Sequence, residues 1–145
     1  MTVATLALLF ALLVQSAIAL VLLWVLGSVR LPLIAAGKVH VGAIAVSRQG
    51  WPENERKFSN AFDNQFQLPV LFYVFCLVAV YLGPTWFEAG LAWVFVLSRI
   101  VHAAIHVTSN HVVHRFTAYA IGMGLLVIFW LDIAARLFII ALGGV

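Results

Sequence analysis

The sequence contains 145 residues, of which 65% are hydrophobic and only 9% are charged. Soluble domains carry roughly 45–50% apolar and 25% charged residues, so this composition excludes a soluble protein and indicates an integral membrane protein. The formal net charge of +3 is concentrated in one link between apolar segments. It therefore bears on membrane topology and on anionic lipid headgroups, and it gives no indication of nucleic-acid binding.

Four apolar segments follow one another along the chain, and each is longer than the roughly 20 residues that an α-helix needs to cross a bilayer. Two of the three links are short, which makes consecutive helices antiparallel neighbours. We therefore predict one all-α domain of residues 1–145, an up-down bundle of four transmembrane helices. The predicted helices are residues 3–27, 58–82, 86–108 and 115–142. The long link between the first two helices is residues 28–57.

Positive charges lie in the first and third links. The first link carries five cations, at Arg30, Lys38, Arg48, Arg56 and Lys57. The third link borders Arg115, whereas the second link has no Lys or Arg. Because cytoplasmic links carry an excess of positive charge, we predict that these two links are cytoplasmic and that both termini lie outside. Trp51, in the first link, is a candidate interfacial anchor.

The second segment enters the membrane with an unusually polar stretch, SNAFDNQFQLP, at residues 59–69. Five polar residues recur here at helical spacing and share one face: Arg56, Asn60, Asp63, Asn64 and Gln67. Such side chains need partners inside a membrane, so this face must line the bundle interior or a neighbouring subunit. Their number favours a water-accessible cavity over hydrogen bonding between helices alone. Pro69 predicts a kink just beyond the polar face.

The third segment carries Arg99 near its middle, with His102 and His106 three and seven residues further on, on roughly the same face. A permanently charged guanidinium at this depth is costly and requires a partner. We expect Asp63 to be that partner, with Gln67 as a neutral second. The alternative is that Arg99 only ties the second and third helices together.

The fourth segment places Arg115 and Tyr119 one turn apart, on one face at the level of the polar stretch. Further along, Asp132 and Arg136 have the spacing of an ion pair on a helix surface, which we interpret as structural.

These patterns together resemble the MAPEG superfamily, the membrane-associated proteins in eicosanoid and glutathione metabolism, over most of the chain from about residue 56 onward. The stretch RKFSNAFD is similar to the family's Arg-x-x-x-Asn-x-x-Glu on the second helix, through Arg56, Asn60 and Asp63. The stretch SRIVHAA resembles its Arg-x-x-His on the third helix, through Arg99 and His102.

On the fourth helix, RFTAY resembles the family's Arg-x-x-x-Tyr, and the later acid and arginine resemble its acid-then-Arg pattern. This sequence departs from the family in its shorter acid, Asp63, and in Pro69, which lies two residues further along than usual. A second register, through Asn64, Gln67 and Pro69, replaces the acid with an amide.

The resemblance implies a homotrimer with a glutathione site between subunits, opening to the cytoplasm, as in microsomal glutathione transferases. It implies glutathione as co-substrate, held by residues that match glutathione's charged and amide groups: Lys38, Arg56, Asn60, Asp63, Asn64, Gln67, Arg99 and His102. Arg48 is a further candidate contact for its carboxylates. Arg115 is expected to stabilise the thiolate and Tyr119 to add a hydrogen bond. The second substrate would be a lipophilic electrophile or lipid hydroperoxide.

Three other hypotheses remain open. The chain can be a catalytically inactive MAPEG-like protein that serves as a lipid-binding or assembly subunit. Four histidines within thirteen residues, His102, His106, His111 and His114, allow a metal site, although our prediction names no metal ligand. A transporter is disfavoured because the sequence shows no internal repeat.

Overall fold

The computed structural model describes residues 1–45 and 47–143. Over these residues it contains four helices long and apolar enough to cross a membrane, and no strand. In chain order, and named first to fourth below, they are Val3–Ala35, Glu53–Leu82, Trp86–Val107 and Val112–Ala141. The antiparallel four-helix architecture expected from the apolar segments is therefore the architecture of the protein.

The first link is shorter than the sequence suggests, because both flanking helices extend into it. The first helix continues through Pro32 to Ala35, and the second begins at Glu53. What remains contains one short helix, Val41–Ile44, and a 3₁₀ turn, Arg48–Gly50.

An ion pair joins the first and second helices, and a tryptophan of this link packs against it. Arg30 Nε donates to Glu55 Oε1 at 2.7 Å, and the Arg30 guanidinium lies 4.9 Å from the Trp51 ring centroid. Trp51 is 8% exposed, so it is a packed residue of the link. The expectation that Trp51 is an interfacial anchor is wrong, because the guanidinium and the link cover its ring.

The second helix is interrupted where the sequence is most polar. A regular helix, Glu53–Asp63, gives way to a 3₁₀ turn, Asn64–Phe66, and helical geometry resumes over Leu68–Leu82. Gln67, between the two, has φ −106° and ψ −106°, outside the helical region. Pro69 has no backbone N–H to donate to the preceding turn, which favours a break there, and it lies in the first turn of the resumed helix, where a proline is tolerated. The irregularity thus lies within the polar face, immediately before the proline.

The bundle core lies deeper in the membrane-crossing part and consists of aromatic and small side chains. Phe72 stacks on Phe95 with ring centroids 4.6 Å apart, which joins the second and third helices. Cys76 and Ala92 are fully buried in the same cluster. One polar contact crosses this region: Gln15 of the first helix donates to Gln65 Oε1 at 3.0 Å. A buried amide pair of this kind fixes the rotation of the first helix against the interrupted one.

At the opposite end of the bundle from the first link, Glu88 and Arg136 join the third and fourth helices and the end of the second helix. It closes a capping box with Thr85 at the start of the third helix, and its carboxylate is fully buried. Arg136 Nη1 contacts Glu88 Oε1 at 2.5 Å, while Arg136 Nη2 donates to the carbonyls of Leu82 and Gly83. Arg136 therefore forms its ion pair with Glu88 of the third helix and not, as expected, with Asp132.

We expect replacement of Arg136 by methionine to lower the free energy of unfolding by about 3–5 kcal/mol, because it leaves the buried Glu88 carboxylate unpaired. The matched control is Lys57→Met, which removes a cation from an ion pair with the exposed Glu53 and should cost less than about 1 kcal/mol. Unfolding in detergent, followed by circular dichroism, measures both. Equal losses in the two variants would contradict the structural role of the buried pair.

Candidate functional site

A polar cavity of about 440 Å³ lies between the first link and the second, third and fourth helices. This volume falls within the about 300–1,000 Å³ typical of small-molecule sites. Its lining residues are Arg48, Asn60, Asp63, Asn64, Gln67, His102, His106, Val112, Arg115, Phe116 and Tyr119. All three of the later helices and the first link contribute to it.

The second helix forms the wall that carries the acid and the amides. Asn64 Nδ2 donates to the Asn60 carbonyl at 2.8 Å, at the point where the regular helix gives way to the 3₁₀ turn. Asp63 forms an ion pair with Arg48, which enters from the first link and also donates to Asn60 Oδ1 at 3.2 Å. One carboxylate, one guanidinium and two amides thus lie side by side at the mouth.

The third helix contributes His102 and His106, whose ring centroids are 5.7 Å apart. His102 Nδ1 lies 3.0 Å from the Arg115 carbonyl oxygen. Because a carbonyl only accepts hydrogen bonds, this nitrogen carries the proton, and the contact fixes the ring's orientation. His106 Nε2 lies 3.4 Å from Asn64 Nδ2. The two histidines therefore hold the second and fourth helices at a defined separation across the cavity floor.

Arg115 is the cation that the fourth helix supplies. Its Nη1 donates to Asn110 Oδ1 at 2.6 Å. Among the described residues it belongs to none of the ion pairs, so its charge remains free to attract an anion. Asn110 has φ +51°, a left-handed conformation that asparagine tolerates, and its backbone N–H donates to the Ile105 carbonyl at 2.7 Å. A residue of the third link that bonds back to the third helix thus also holds this guanidinium in place.

Tyr119 stands one turn along from Arg115 and is half-buried at the inner end of the cavity. Within the part of the chain that the structure describes, no hydrogen bond involves its hydroxyl, which is therefore free to donate to a ligand. Its ring centroid lies 5.9 Å from that of His102.

Arg99 does not line the cavity. It is 1% exposed, donates from Nη2 to the Ala118 carbonyl at 2.8 Å, and lies between the rings of Phe95 and Tyr119, at 5.6 and 5.5 Å. The prediction that Asp63 or Gln67 is the partner of Arg99 is wrong, because both of these side chains line the cavity and Arg99 does not. A backbone carbonyl and two aromatic faces contact the guanidinium instead, while its buried Nε has no hydrogen-bond partner among the described residues.

Seven of the ten residues expected at the site from the sequence line the cavity: Asn60, Asp63, Asn64, Gln67, His102, Arg115 and Tyr119. Besides Arg99, the exceptions are Arg56 and Lys38, which are exposed outside it. Arg56 lies one turn before Asn60, and its side chain is exposed although its neighbour Glu55 is buried. His106 was overlooked as a site residue, although its spacing from His102 places it on the same face. Val112 and Phe116 carry no sequence signal that separates them from lipid-facing residues.

Four apolar helices and a polar cavity at one end were expected for the superfamily that the motifs resemble. A sequence model of the MAPEG family matches residues 3–135. The chain belongs to the MAPEG family. It is a multi-pass membrane protein, and the predicted all-α four-helix fold and superfamily are confirmed. No curated protein and no solved structure matches the chain.

Membership of the MAPEG family leaves several possible functions for this chain. The family includes glutathione-dependent transferases and peroxidases as well as inactive members. The match covers every residue that lines the cavity, from the first link and the second, third and fourth helices, so the site belongs to the family region of this MAPEG protein.

We expect Gly122→Ala to lower the free energy of unfolding by about 1–3 kcal/mol through overpacking against the buried Arg99. A Cβ at Gly122 would lie 2.8 Å from Arg99 Nη2 and 3.0 Å from Ser98 Oγ. The matched control is Gly124→Ala on the same helix, where a Cβ meets nothing within 4 Å. That variant should gain up to about 1 kcal/mol from its better helix propensity. Thermal unfolding of both variants measures the difference, and a stable Gly122→Ala protein would show that Arg99 is not tightly seated.

Proposed function

We propose that this MAPEG protein binds glutathione in the polar cavity and stabilises its thiolate with Arg115. The observation that carries the proposal is the state of Arg115: it lines the cavity, an amide oxygen orients it, and among the described residues no acid pairs with it. A guanidinium held in this way attracts an anion without having to break an existing ion pair.

The remaining cavity groups match the ligand's ends. Glutathione carries two carboxylates, one ammonium group and two amides. Arg48 offers a second cation, Asp63 an acid for the ammonium, and Asn60, Asn64 and Gln67 offer amides. Complementary charges and hydrogen bonds of this kind position a peptide rather than an apolar molecule.

The chemistry follows from the thiol. A free cysteine thiol has a pKa of about 8.5 and is mostly protonated at neutral pH, whereas the thiolate is the nucleophile. A nearby guanidinium favours the anion, and the Tyr119 hydroxyl can donate a hydrogen bond to the sulfur. The thiol proton leaves to water. The thiolate sulfur then bonds to an electrophilic atom of the second substrate, whose displaced electron pair passes to the leaving group.

The second substrate of this proposal is a lipophilic electrophile or a lipid hydroperoxide. Phe116 and Val112 line the cavity and are also exposed at the bundle surface, so the cavity has an apolar edge. An apolar groove of about 370 Å³ lies between the second and fourth helices, with Leu68 and Met123 in its lining. Leu68 follows Gln67 directly, and Met123 lies one turn beyond Tyr119. A molecule dissolved in the membrane can therefore approach the sulfur from the lipid side.

The proposal includes a homotrimer in the bilayer, with the cavity mouth on the cytoplasmic side. The fourth helix supports an assembly, because it presents a long exposed apolar surface to lipid or to another subunit. The excess of positive charge on the first link supports the cytoplasmic placement.

The test is a titration of glutathione into the purified protein in nanodiscs, following the ultraviolet difference absorbance of the thiolate. We expect a saturable signal in the natural protein. Arg115→Gln should abolish it, because the anion then lacks its cation. Tyr119→Phe should keep binding but lower the thiolate fraction, because only one hydrogen bond is lost. Lys38→Gln, a charge change outside the cavity, should leave the signal unchanged.

A folded protein that gives no thiolate signal would overturn this proposal. It would favour the second candidate, a catalytically inactive MAPEG subunit that binds lipid or supports assembly. The ion pair between Asp63 and Arg48 supports this candidate, because the acid at the cavity mouth already has a partner within the protein.

A further inference from the structure

The first link contains a second polar cavity of about 330 Å³, which the proposed function does not use. It is lined by Arg30, Ile44, Ala45, Ser47, Arg48 and Trp51. Of this set, only Arg48 also lines the main cavity. Two of the lining residues are arginines, and none of those that the structure describes is an acid. A cavity with two positive charges and no negative charge in its described wall suits an anion.

Arg30 is held in position before any ligand arrives. Its Nε donates to Glu55 Oε1 at 2.7 Å, its Nη2 donates to Ser59 Oγ at 3.3 Å, and Trp51 lies against the guanidinium. The third nitrogen, Nη1, has no acceptor among the described residues, and Glu55 does not line this cavity. A cation fixed in this way loses little conformational freedom when it binds an anion.

Arg48 and Ser47 supply further donors from the 3₁₀ turn of the link and the residue that precedes it. Arg48 uses one nitrogen, Nη1, for both of its contacts, with Asp63 and with Asn60 Oδ1. Its Nε and Nη2 have no acceptor in the described part of the chain. Ser47 Oγ accepts from the Gln49 backbone N–H at 3.2 Å, which leaves the hydroxyl hydrogen to donate elsewhere. An anion can therefore bind here while the Arg48–Asp63 pair stays closed.

This cavity borders an apolar surface at the end of the first helix. Leu31 directly follows Arg30, Ile34 lies one turn beyond it, and both are exposed. Val41 is also exposed and begins the short helix that ends at Ile44, a residue of the cavity wall. Exposed apolar side chains of a membrane-spanning bundle contact lipid chains. The cavity and this surface together match an amphiphile with an anionic head and apolar chains.

We propose that this cavity binds the phosphate of an anionic phospholipid, with Arg30 and Arg48 as its cations and Ser47 as a further donor. Basic pockets at the ends of membrane-spanning helices are suited to lipid headgroups, and residues 28–63 carry five cations and three acids, a net charge of +2. A zwitterionic headgroup fits less well, because its ammonium would meet two guanidinium groups. The apolar surface beside the cavity favours a lipid over a free phosphate ion. This inference goes beyond the proposed function and does not depend on glutathione.

The test is native mass spectrometry of the full-length protein, purified in a neutral detergent with equal amounts of phosphatidylglycerol and phosphatidylcholine that have the same acyl chains. For the natural protein we expect phosphatidylglycerol to be retained at least about tenfold over phosphatidylcholine. Arg48→Gln should reduce this preference to about twofold, because one of the two cations is lost. Ser47→Ala, which keeps both ion pairs, should lower it by about threefold.

The variants are chosen so that folding does not decide the result. The Arg48–Asp63 pair is open to water and contributes little to stability, whereas replacing Arg30 would leave the buried Glu55 carboxylate without its partner. The matched control is Arg56→Gln, which removes the same charge from the same end of the bundle but lines neither cavity. It should change the preference by less than about twofold, since general attraction between an exposed cation and anionic lipid is weak in detergent.

Three results would overturn the inference. The first is equal retention of the two lipids by the natural protein, and the second is an equal effect of Arg48→Gln and Arg56→Gln. The third comes from thermal unfolding in detergent: stabilisation by inorganic phosphate alone that equals stabilisation by phosphatidylglycerol would make the ligand a free phosphate and not a lipid. None of these results bears on the proposed function, because glutathione is absent from every measurement.

Discussion

The guanidinium of Arg99 is a permanent charge inside a bundle made of apolar helices, and the geometry around the site depends on how that charge is satisfied. No acid pairs with it among the described residues; the Ala118 carbonyl and two aromatic rings surround it instead. This requires the third and fourth helices to approach closely at Gly122, where a side chain would meet the guanidinium. A charge left without partners in such surroundings would cost far more than any single contact in the core returns. The helix positions that satisfy it are therefore strongly constrained.

The same close packing of the third and fourth helices sets the positions of the site residues. With the two helices held together at Arg99, His102 reaches the Arg115 carbonyl, and the Tyr119 ring lies against the buried guanidinium. The catalytic pair of the proposed function thus stands on a rigid support. The opposite wall of the cavity is built differently, because the second helix loses its regular geometry at Asn64–Phe66. Polar residues fit at such a break, since side-chain amides can bond the backbone groups that the helix no longer pairs.

Helical spacing predicted which residues of the second segment share a face, and Asn60, Asp63, Asn64 and Gln67 do meet at one cavity. Spacing alone does not say how far along a helix a cavity extends, which is why Arg56 has the correct phase but lies outside it. Partner choice is also a tertiary property. Asp63 and Arg99 have opposite charges, yet each bonds to a partner that no local pattern identifies: a link arginine in one case and a backbone carbonyl in the other. The Glu88–Arg136 contact joins residues 48 positions apart, beyond the reach of any periodicity.

Asn110 joins two properties that are usually separate in membrane bundles. Its backbone N–H, in a left-handed conformation, donates to the Ile105 carbonyl of the third helix, and its side chain holds the Arg115 guanidinium. Links between helices normally tolerate insertions and changes of length, because they contribute little to the packed structure. Here the length and shape of the third link set the position of a charged group in the cavity. The third link is therefore a poor place for an epitope tag, a fluorescent insertion or a circular permutation, and natural variation in its length would move the Arg115 guanidinium before it altered folding.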